Sequence, residues 1–403
     1  MELNQKLYEK IKALVDEATK SSIEIRHQIH SCPELSGQEI ETSKLIQGEL
    51  DKLNIAYDNH VFGHGVSAII DGHDKTKAIG IRADIDALPL DEQVDVPYKS
   101  KNPGVMHACG HDIHTSVLLG TAKVLNALKS DLPYSVRLIF EPAEETTGGA
   151  KQMIDAGCLD NPKVTDVVGL HIEPNIDAGK VEFIPGSMNA ASTEFTVTVH
   201  GKSCHGAHPY KGIDPLVPAC NMVTSLQSII TRRLHPADAA LITVGVFNSG
   251  MKSNIIPNET TFSGIIRVLD MEKRDFIKSE LARLCKGIAE SAGATCDVSF
   301  RDSYPVLINN SSLLTVAKAA CEQAIGAENV LVNPRASLGA DDFAYFCHDG
   351  RRAIYYNIGC HKPGDPKEYA LHNSELNPDE DCIKVGIITE VVSVLSIMGE
   401  TVK

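Results

Sequence analysis

The sequence predicts a two-domain α/β protein in which a mixed, mostly parallel, helix-covered sheet is interrupted by an inserted α+β sandwich. With 403 residues, the chain is too long for one ordinary hydrophobic core, so two domains are expected. Up to about residue 186, buried strand patterns alternate with helical patterns and polar residues follow the strands, which is typical of a parallel sheet. Beyond that point the strands alternate polar and apolar residues with period two, as half-exposed strands do.

Composition and charge narrow the class of protein. The chain is 43% hydrophobic and 23% charged, as globular proteins are, and its formal net charge of −15 argues against binding to nucleic acid or to an anionic membrane. No uninterrupted apolar run approaches the roughly 18 residues of a membrane span, so none is expected. The 11 cysteines are odd in number and scattered, and no signal-peptide pattern is present. We therefore expect reduced thiols in a cytoplasmic protein.

The elements of the first domain follow from the spacing of apolar residues. In chain order we predict helices over 5–30 and 39–53, strands over 66–70 and 78–82, a helix over 116–128, and strands over 135–140 and 166–170. Pro33 separates the first two helices. Asp84 and Asp86 come just after the second strand, a place where open α/β sheets often carry active-site groups.

The inserted domain is predicted to comprise residues 187–299, and the first domain residues 1–186 and 300–403. The order strand–helix–strand–strand–helix–strand indicates an open-faced α+β sandwich. Its strands are predicted over 193–200, 240–244, 259–267 and 295–300, and its helices over 215–232 and 273–292. The chain then returns to the first domain with a helix over 312–324, a strand over 353–358 and a helix from about 378.

Metal-type donors are crowded into residues 106–114. Cys109 and His111 lie two apart across a glycine, so a sulfur and a nitrogen can face one point in a loop. The alternative is a surface histidine cluster, including His107 and His114, with an incidental cysteine. This stretch alone does not decide between the two interpretations.

Further donors lie at the ends of predicted elements: Glu144 and Glu145, His171, and His372. Taken singly, the glutamates could be the acidic first turn of a helix, His171 a core histidine and His372 a loop residue. Their recurrence at the ends of elements of one α/β domain instead favours a shared site. Together with Cys109 and His111 they suffice to hold two metal ions when one ligand bridges, and Glu144 is left over as a general base.

Several motifs, in order along the chain, resemble those of a known family. They are Met-His-Ala-Cys-Gly-His-Asp at 106–112, Arg-Ala-Asp-Ile-Asp-Ala-Leu-Pro at 82–89, Pro-Ala-Glu-Glu at 142–145, Gly-Leu-His at 169–171 and an Arg-x3-His-x2-Pro-Glu-Leu pattern at 26–35. The chain resembles the M20 metallopeptidases and, within them, the amidohydrolase branch of N-acyl-amino-acid amidohydrolases, hippurate hydrolases and auxin-conjugate hydrolases. With His372 included, the resemblance covers nearly the whole chain.

The resemblance implies a zinc-exopeptidase-like fold, a dinuclear metal site and a set of residue roles. The implied metal ligands are Cys109, His111, Glu145, His171 and His372. Glu144 is implied as the base, and the supporting carboxylate falls on Asp86, with Asp84 as the rival. The common peptidase pattern has His at the position of Asp84 and Asp in place of the Cys/His loop, which assigns this chain to the cysteine-containing branch.

The same resemblance assigns roles in the inserted domain. In the segment 201–209, a histidine of the family reaches a neighbouring active site and stabilises the oxyanion; we assign this role to His205, with His208 as the rival. Asn254 and Arg267 match positions that bind a substrate carboxylate, as an arginine fork can. For Arg267 the alternative is a salt bridge on the strand face. A homodimer through the inserted domain is also implied.

The predicted function is hydrolysis of the amide bond of small N-acyl-amino acids, with an N-acetyl, benzoyl or similar acyl group, to a carboxylate and a free amino acid. Two divalent ions are expected as cofactors; the cysteine favours Zn²⁺, and the resemblance also admits Mn²⁺ or Co²⁺. A dipeptidase or aminopeptidase of the same fold is the first alternative. A non-catalytic, metal-stabilised binding protein is the second, and the adjacent Glu144 and Glu145 argue against it because a structural site needs no spare base.

Overall fold

The computed structural model of the protein describes residues 5–400. Its contacts divide the chain into two compact units. The first unit ends at Gly186 and resumes over Ile308–Arg335 and from Tyr345 onward, and the second comprises Ser187–Leu307 and Ala336–Ala344.

The chain re-enters the first unit at Ile308, later than residue 300, where the sequence analysis predicted it. The position between residues 299 and 300 lies inside a strand, Thr295–Asp302. This strand pairs along its length with Ala191–His200, so residues 300–302 stay with the second unit. The second unit therefore extends to Leu307.

The helices and strands of the described residues are as follows. The helices are α1 (Gln5–Ser31), α2 (Ile40–Lys52), α3 (His111–Ala127), α4 (Gly149–Asp155), α5 (Leu216–Arg233), α6 (Met271–Ser291), α7 (Ser311–Ile325) and α8 (Asp381–Glu400). The strands are β1 (Ala56–Asp58), β2 (Val66–Ile70), β3 (Asp74–Asp84), β4 (Tyr134–Glu141), β5 (Lys163–Asp177), β6 (Val181–Phe183), β7 (Gly186–Asn189), β8 (Ala191–His200), β9 (Cys204–His205), β10 (Ala240–Ser249), β11 (Ile255–Ile256), β12 (Glu259–Val268), β13 (Thr295–Asp302), β14 (Leu307–Asn309), β15 (Val330–Val332) and β16 (Arg352–His361).

The first unit is built on an eight-stranded sheet in the order β1-β2-β4-β3-β5-β16-β6-β15. Its central strands β4, β3, β5 and β16 are parallel, and antiparallel pairs lie towards both sides. Every residue of β4 is buried, as expected for a strand covered by other elements on both faces. The predicted mixed, mostly parallel, helix-covered sheet is therefore confirmed.

Helices α1, α3 and α8 pack against one another in this unit. α8 is long and apolar enough to span a membrane by length and composition, but 83% of its apolar window is buried inside the unit. Its hydrophobicity is thus used in the core, where it contacts α3 and α7.

The second unit contains a four-stranded antiparallel sheet in the order β10-β12-β8-β13. On β8, Phe195, Val197 and Val199 are buried and the residues between them are not. The buried side chains join a core that includes Leu226 of α5 and Leu281 of α6. This arrangement confirms the predicted α+β sandwich.

A buried carboxyl group lies in the core of the first unit. Glu390 on α8 is 1% exposed, and its Oε2 accepts a hydrogen bond of 2.8 Å from Thr121 Oγ1 on α3. Burial raises the pKa of Glu390 from 4.5 to about 8. The folded state therefore holds this proton at pH values at which the unfolded chain has released it.

We predict that Glu390→Gln removes a pH-dependent penalty on stability. In the wild type, the free energy of unfolding falls as the pH rises from about 4.5 to about 8, because only the folded state keeps the proton. At about 1.36 kcal/mol per pKa unit, the penalty near pH 8 is on the order of 4 kcal/mol. The gain of the variant over the wild type, measured by urea unfolding, should therefore be larger near pH 8 than near pH 5. Glu24→Gln, at an exposed position of α1, should show no such difference. Equal gains for Glu390→Gln at both pH values would contradict the prediction.

Candidate metal centre

The predicted donors lie where neighbouring strands of the large sheet end. Strands β4, β3, β5 and β16 are adjacent and parallel, so their carboxyl ends share one edge of the sheet. β3 ends at Asp84 and β4 ends at Glu141, whereas His171, predicted to follow a strand over 166–170, lies inside β5. α3 begins at His111 and not at residue 116 as predicted, directly after Gly110, whose φ of 84° is left-handed.

The structure brings the five predicted ligands and Glu144 together. Their donor atoms form three overlapping sets, within each of which all atoms lie within 4.8 Å of one another: Cys109, His111 and His171; Cys109, Glu145 and His372; His111, Glu144 and Glu145. His372 Nε2 lies 3.0 Å from Glu145 Oε1, and its side chain is the exposed member at 54%. Since the sets share Cys109, His111 and Glu145, they make one cluster.

Two of the histidines are oriented so that Nε2 faces this cluster. His171 Nδ1 donates a hydrogen bond of 2.7 Å to the Ile172 carbonyl oxygen, and its Nε2 lies 3.4 Å from Cys109 Sγ. His111 Nδ1 donates to Asp86 Oδ1 at 3.1 Å. A histidine that donates one ring N–H to an oxygen presents the lone pair of the other nitrogen to a metal.

The contacts separate the two aspartates that the sequence left as rivals. Asp86 receives His111 Nδ1 on one oxygen and the Glu145 backbone N–H, at 3.1 Å, on the other. Asp84 contacts Arg82 Nη1 at 2.7 Å and His114 Nδ1 at 2.6 Å, and it approaches His111 only to 3.7 Å, between Oδ2 and Nε2, beyond hydrogen-bond distance. Asp86 therefore supports two predicted ligands directly, which is the geometry expected of the supporting carboxylate.

His107 and His114 have no place among the predicted ligands. His114 Nε2 accepts the Ile172 backbone N–H at 2.9 Å, and Nδ1 faces Asp84, so both nitrogens are used within the fold. Both nitrogens of His107 are buried without a hydrogen-bond partner among the described residues. Burial lowers the pKa of each of these imidazoles to about 4, so both are neutral near pH 7.

The cluster fits divalent cations. His111 Nε2 is buried and lacks a hydrogen-bond partner in residues 5–400, and the buried Glu145 Oε1 lies 3.0 Å from His372 Nε2. Burial alone would lower the pKa of His111, but the Asp84 and Asp86 carboxylates raise it well above its usual range, which shows the strength of the negative field. Sulfur, nitrogen and oxygen donors in such a field suit borderline-soft metal ions.

The second unit holds the remaining predicted site residues, in two separate places. The Asn254 carbonyl oxygen accepts the Gly206 N–H at 2.8 Å, so Asn254 lies beside the loop of His205 and His208. The loop follows β8 and lies beyond that end of the β8–β12 pairing where His200 is opposite Glu259. Arg267 pairs with Ser192 at the other end.

The distance between these places follows from the strand rise. At about 3.3 Å per residue, Arg267 lies about 26 Å along β12 from Glu259. One copy of the chain thus does not bring Arg267 together with Asn254 and His205, although Asn254 and Arg267 were predicted to bind one carboxylate. Arg267 Nη1 is buried and has no hydrogen-bond partner in the part of the chain that the structure describes.

Some residues of the site were missed by sequence reasoning. Ser36 Oγ donates to Asp86 Oδ2 at 2.6 Å, and Arg82 Nε donates to Glu141 Oε2 at 2.7 Å while its Nη1 binds Asp84. Arg82 stands in a quoted motif and Ser36 follows one, but neither has a local pattern that reveals these contacts.

Residues 80–391 match the family described as Peptidase family M20/M25/M40. The chain belongs to this family. The resemblance inferred from the motifs, including that to the amidohydrolase branch, is thereby confirmed.

Relatives within the M20 family include enzymes of several names. Hippurate hydrolase of Campylobacter jejuni is 36% identical over 80% of this chain and 84% of its own. N-acetyl-L-cysteine deacetylase of Bacillus subtilis is 36% identical over 81% of this chain and 77% of its own. Thermostable carboxypeptidase 2 of Saccharolobus solfataricus is 36% identical over 96% of this chain and 98% of its own.

A solved structure from the M20 family is described as binding metal. The YXEP protein of Bacillus subtilis, described as a dinuclear metal binding peptidase, matches with a TM-score of 0.84 and 29% identity over 95% of this chain and 99% of that chain. With the family match, this likeness confirms the prediction of a metal-dependent hydrolase.

We predict that Cys109→Ala lowers the amount of bound metal, because it removes the donor shared by two of the three sets. Loss of a side chain that binds the metal directly should weaken metal binding by at least the 10–100-fold that loss of a group hydrogen-bonded to a ligand costs. Metal content per chain after dialysis, measured by elemental analysis, checks this. Cys321→Ala, in the buried face of α7 away from these donors, is the matched control. Unchanged stoichiometry in Cys109→Ala would remove Cys109 from the ligand set.

Proposed function

We propose that the protein hydrolyses the amide bond of N-acyl-amino acids with two divalent metal ions as cofactors. The observation that carries this proposal is the pairing of Glu144 with Glu145 beside His111, with donor atoms within 4.8 Å. Only one carboxylate of the pair is needed as a ligand, so the other, on the buried Glu144, is placed to act as a base. Relatives named for hippurate and N-acetyl-L-cysteine support acyl-amino acids as the substrate class.

A peptidase reaction is the second candidate. It is favoured by the likeness to thermostable carboxypeptidase 2 over nearly the whole chain. Both reactions break an amide bond and need the same donors and base, so they differ only in what occupies the acyl side of that bond.

The chain's own residues would hold the ions and orient one another. Cys109, His111, Glu145, His171 and His372 are the proposed ligands. When bound, two such ions polarise a carbonyl and lower the pKa of water. Asp86 fixes the ring of His111 through Nδ1. The Cys109 thiolate favours Zn²⁺, and Mn²⁺ is the alternative that carboxylate ligands accept.

Glu144 moves the proton in the proposed reaction. Its carboxylate takes a proton from the water that attacks the amide carbon, and a bond forms between the water oxygen and that carbon. The C–N bond then breaks as Glu144 gives the proton to the leaving amine. The products are a carboxylate and a free amino acid, and no oxidant or reductant takes part.

Residues of the second unit are proposed to bind the substrate. The buried, unpaired Nη1 of Arg267 suits the substrate carboxylate, and His205 is proposed to stabilise the oxyanion. A small acyl-amino acid cannot span the roughly 26 Å between Arg267 and the end of β12 beside the His205 loop. We therefore propose that His205 and Asn254 act in the site of a second copy of the chain.

The edge of the second unit's sheet supports a homodimer. β10 is an edge strand, and its Val246 and Phe247 are 50% and 38% exposed. An edge strand with exposed apolar side chains is suited to pairing with another chain. A dimer formed through this unit would supply His205 to the neighbouring site.

We further propose a cytoplasmic location. All 11 cysteines are free thiols in the structure, which is the state that a reducing compartment maintains. The net charge of −15 is consistent with small-molecule substrates and does not favour nucleic acid as a partner.

The test of the proposed function is a substrate panel. Hippurate, N-acetyl-amino acids and dipeptides are assayed with protein stripped by chelator and with the same protein after Zn²⁺ or Mn²⁺ is restored. We expect metal-dependent release of free amino acid from the acylated substrates and slower or no cleavage of dipeptides. Turnover that is insensitive to metal removal would overturn the mechanism, and a preference for dipeptides would favour the peptidase reaction.

Glu144→Gln tests the assignment of the base. Loss of general-base catalysis typically costs about 10²–10⁴-fold in rate, so we expect kcat to fall by that range while both metal ions remain bound. Glu145→Gln is the matched control, since it should lose metal instead. A near-normal rate in Glu144→Gln would exclude Glu144 as the base.

Mixing inactive variants tests the shared site. His205→Ala and Glu144→Gln are each expected to be nearly inactive alone. If His205 acts in the neighbouring site, each dimer that contains one copy of each variant has one intact site. Random subunit exchange makes about half of the dimers of this kind, so the mixture should recover about a quarter of the wild-type activity. No recovery, with exchange verified by mass spectrometry, would place His205 in its own copy's site or outside it.

A further inference from the structure

Glu39 is a buried carboxylate that the proposed reaction does not use. It directly precedes α2 and is 0% exposed. Its Oε1 accepts two backbone N–H groups, that of Gly37 at 2.8 Å and that of Ala143 at 2.9 Å. Its Oε2 is buried without a hydrogen-bond partner in residues 5–400. The side chain thus joins the segment before α2 to the turn after β4.

Ala143 has an unusual backbone, and it directly precedes Glu144. Its φ is +59°, in the left-handed region that residues with a Cβ rarely adopt and that costs about 1–2 kcal/mol. Ala143 is also buried at 4% exposure, so its N–H must find an acceptor inside the protein. Glu39 Oε1 is that acceptor, and the carboxylate therefore stabilises a conformation that the chain disfavours.

The rest of the turn leaves little freedom. The Ala143 carbonyl oxygen accepts the Gly148 N–H at 3.0 Å, which closes the turn. Gly149 backs onto the Pro142 carbonyl oxygen so closely that a Cβ would not fit there. The direction of the side chains at 144 and 145 is thus set by the backbone at Ala143.

Asp86 is a second buried carboxylate that binds the same turn. Asp86 Oδ2 accepts the Glu145 N–H, and it also accepts Ser36 Oγ from the segment that contains Glu39. This segment is itself joined to the chain that follows β3, because the Ala87 N–H donates to the Glu34 carbonyl oxygen at 2.8 Å. Glu39 and Asp86 together hold the two N–H groups that flank Glu144.

We propose that Glu39 is a positioning residue that holds the base Glu144 and the metal ligand Glu145 in place through the backbone of Ala143, a role that rests on the proposed function. Without the acceptor, the buried N–H of Ala143 is orphaned and the left-handed turn relaxes. Both carboxylates then move relative to the donors on α3 and β5. A displacement of about 1 Å at such a site can cost 10²-fold in rate.

The test compares Glu39→Ala with Glu39→Gln in the full-length protein. In Glu39→Ala, kcat for hippurate should fall about 10–100-fold with little change in KM, and the affinity for Zn²⁺ should fall by a similar factor. Glu39→Gln should restore both, since its amide oxygen can accept the same two N–H groups.

Glu34→Ala is the matched control in the same segment. Glu34 Oε2 accepts the Thr42 N–H at 2.9 Å and Thr42 Oγ1 at 3.0 Å, so its loss weakens the start of α2. Such capping contacts contribute about 1 kcal/mol, and the metal-free Tm should fall. Zn²⁺ affinity and kcat should stay as in the wild type, because Glu34 does not contact the 142–149 turn through its side chain.

Two readouts separate this inference from the proposed function. Zn²⁺ affinity is measured by calorimetry on chelator-stripped protein and does not require turnover. If the wild type binds Zn²⁺ but hydrolyses no substrate of the panel, the proposed function fails, while the Zn²⁺ affinities of the variants still decide the role of Glu39. The role is overturned if Glu39→Ala keeps both properties, if Glu39→Gln is as impaired as Glu39→Ala, or if Glu34→Ala is impaired to the same degree.

Discussion

The Asp86 carboxylate is the interaction on which the metal cluster depends. It is 1% exposed and receives His111 at the start of α3, the backbone of Glu145 after β4, and Ser36 before α2. Burial opposes its charge, but the hydrogen bonds from His111 and Ser36 hold the pKa of Asp86 below its usual range. Three segments far apart in the chain thus share one anion, and each group orphaned by its loss would cost about 1–3 kcal/mol.

Buried charged groups near Asp86 are paired with groups of opposite charge, so the donors without such a partner are the ones available to metal cations. Arg82 pairs with Glu141 and Asp84 without any exposed side-chain surface. On α3, Asp112 pairs with Arg26 at 3.0 Å, and both side chains are buried. A buried ion pair is tolerated because both partners are present. The cluster of Cys109, His111, Glu145, His171 and His372 differs, since His111 Nε2 is left with no hydrogen-bond partner among residues 5–400.

The sequence was sufficient for features that repeat along the chain and insufficient for single contacts. Strands and most of the donors near their ends could be predicted because period and position are local, but the strand predicted to end at residue 170 continues as β5 to Asp177, so His171 lies inside it. The start of α3 was predicted too late because the polar first turn, His111 onward, is buried by partners that apolar spacing does not reveal. The choice between Asp84 and Asp86, and the role of Glu39, depend on contacts across long stretches of chain, 104 residues in the case of Glu39 and Ala143. The separation of Arg267 from His205 required the register of β12.

The position of β16 in the large sheet has a consequence for biosynthesis. This strand lies between β5 and β6, although some 170 residues of chain, including the whole Ser187–Leu307 segment, are synthesised between β6 and β16. During translation the second unit can fold first, because its four-stranded sheet is complete once β13 has emerged. At that stage the edge of β5 that will pair with β16 has no partner strand. His372 emerges later still, so the full donor set exists only after β16 has been synthesised. A nascent chain therefore passes through a stage in which the central strand β5 can pair on one side only, the stage at which a chaperone would have most to protect.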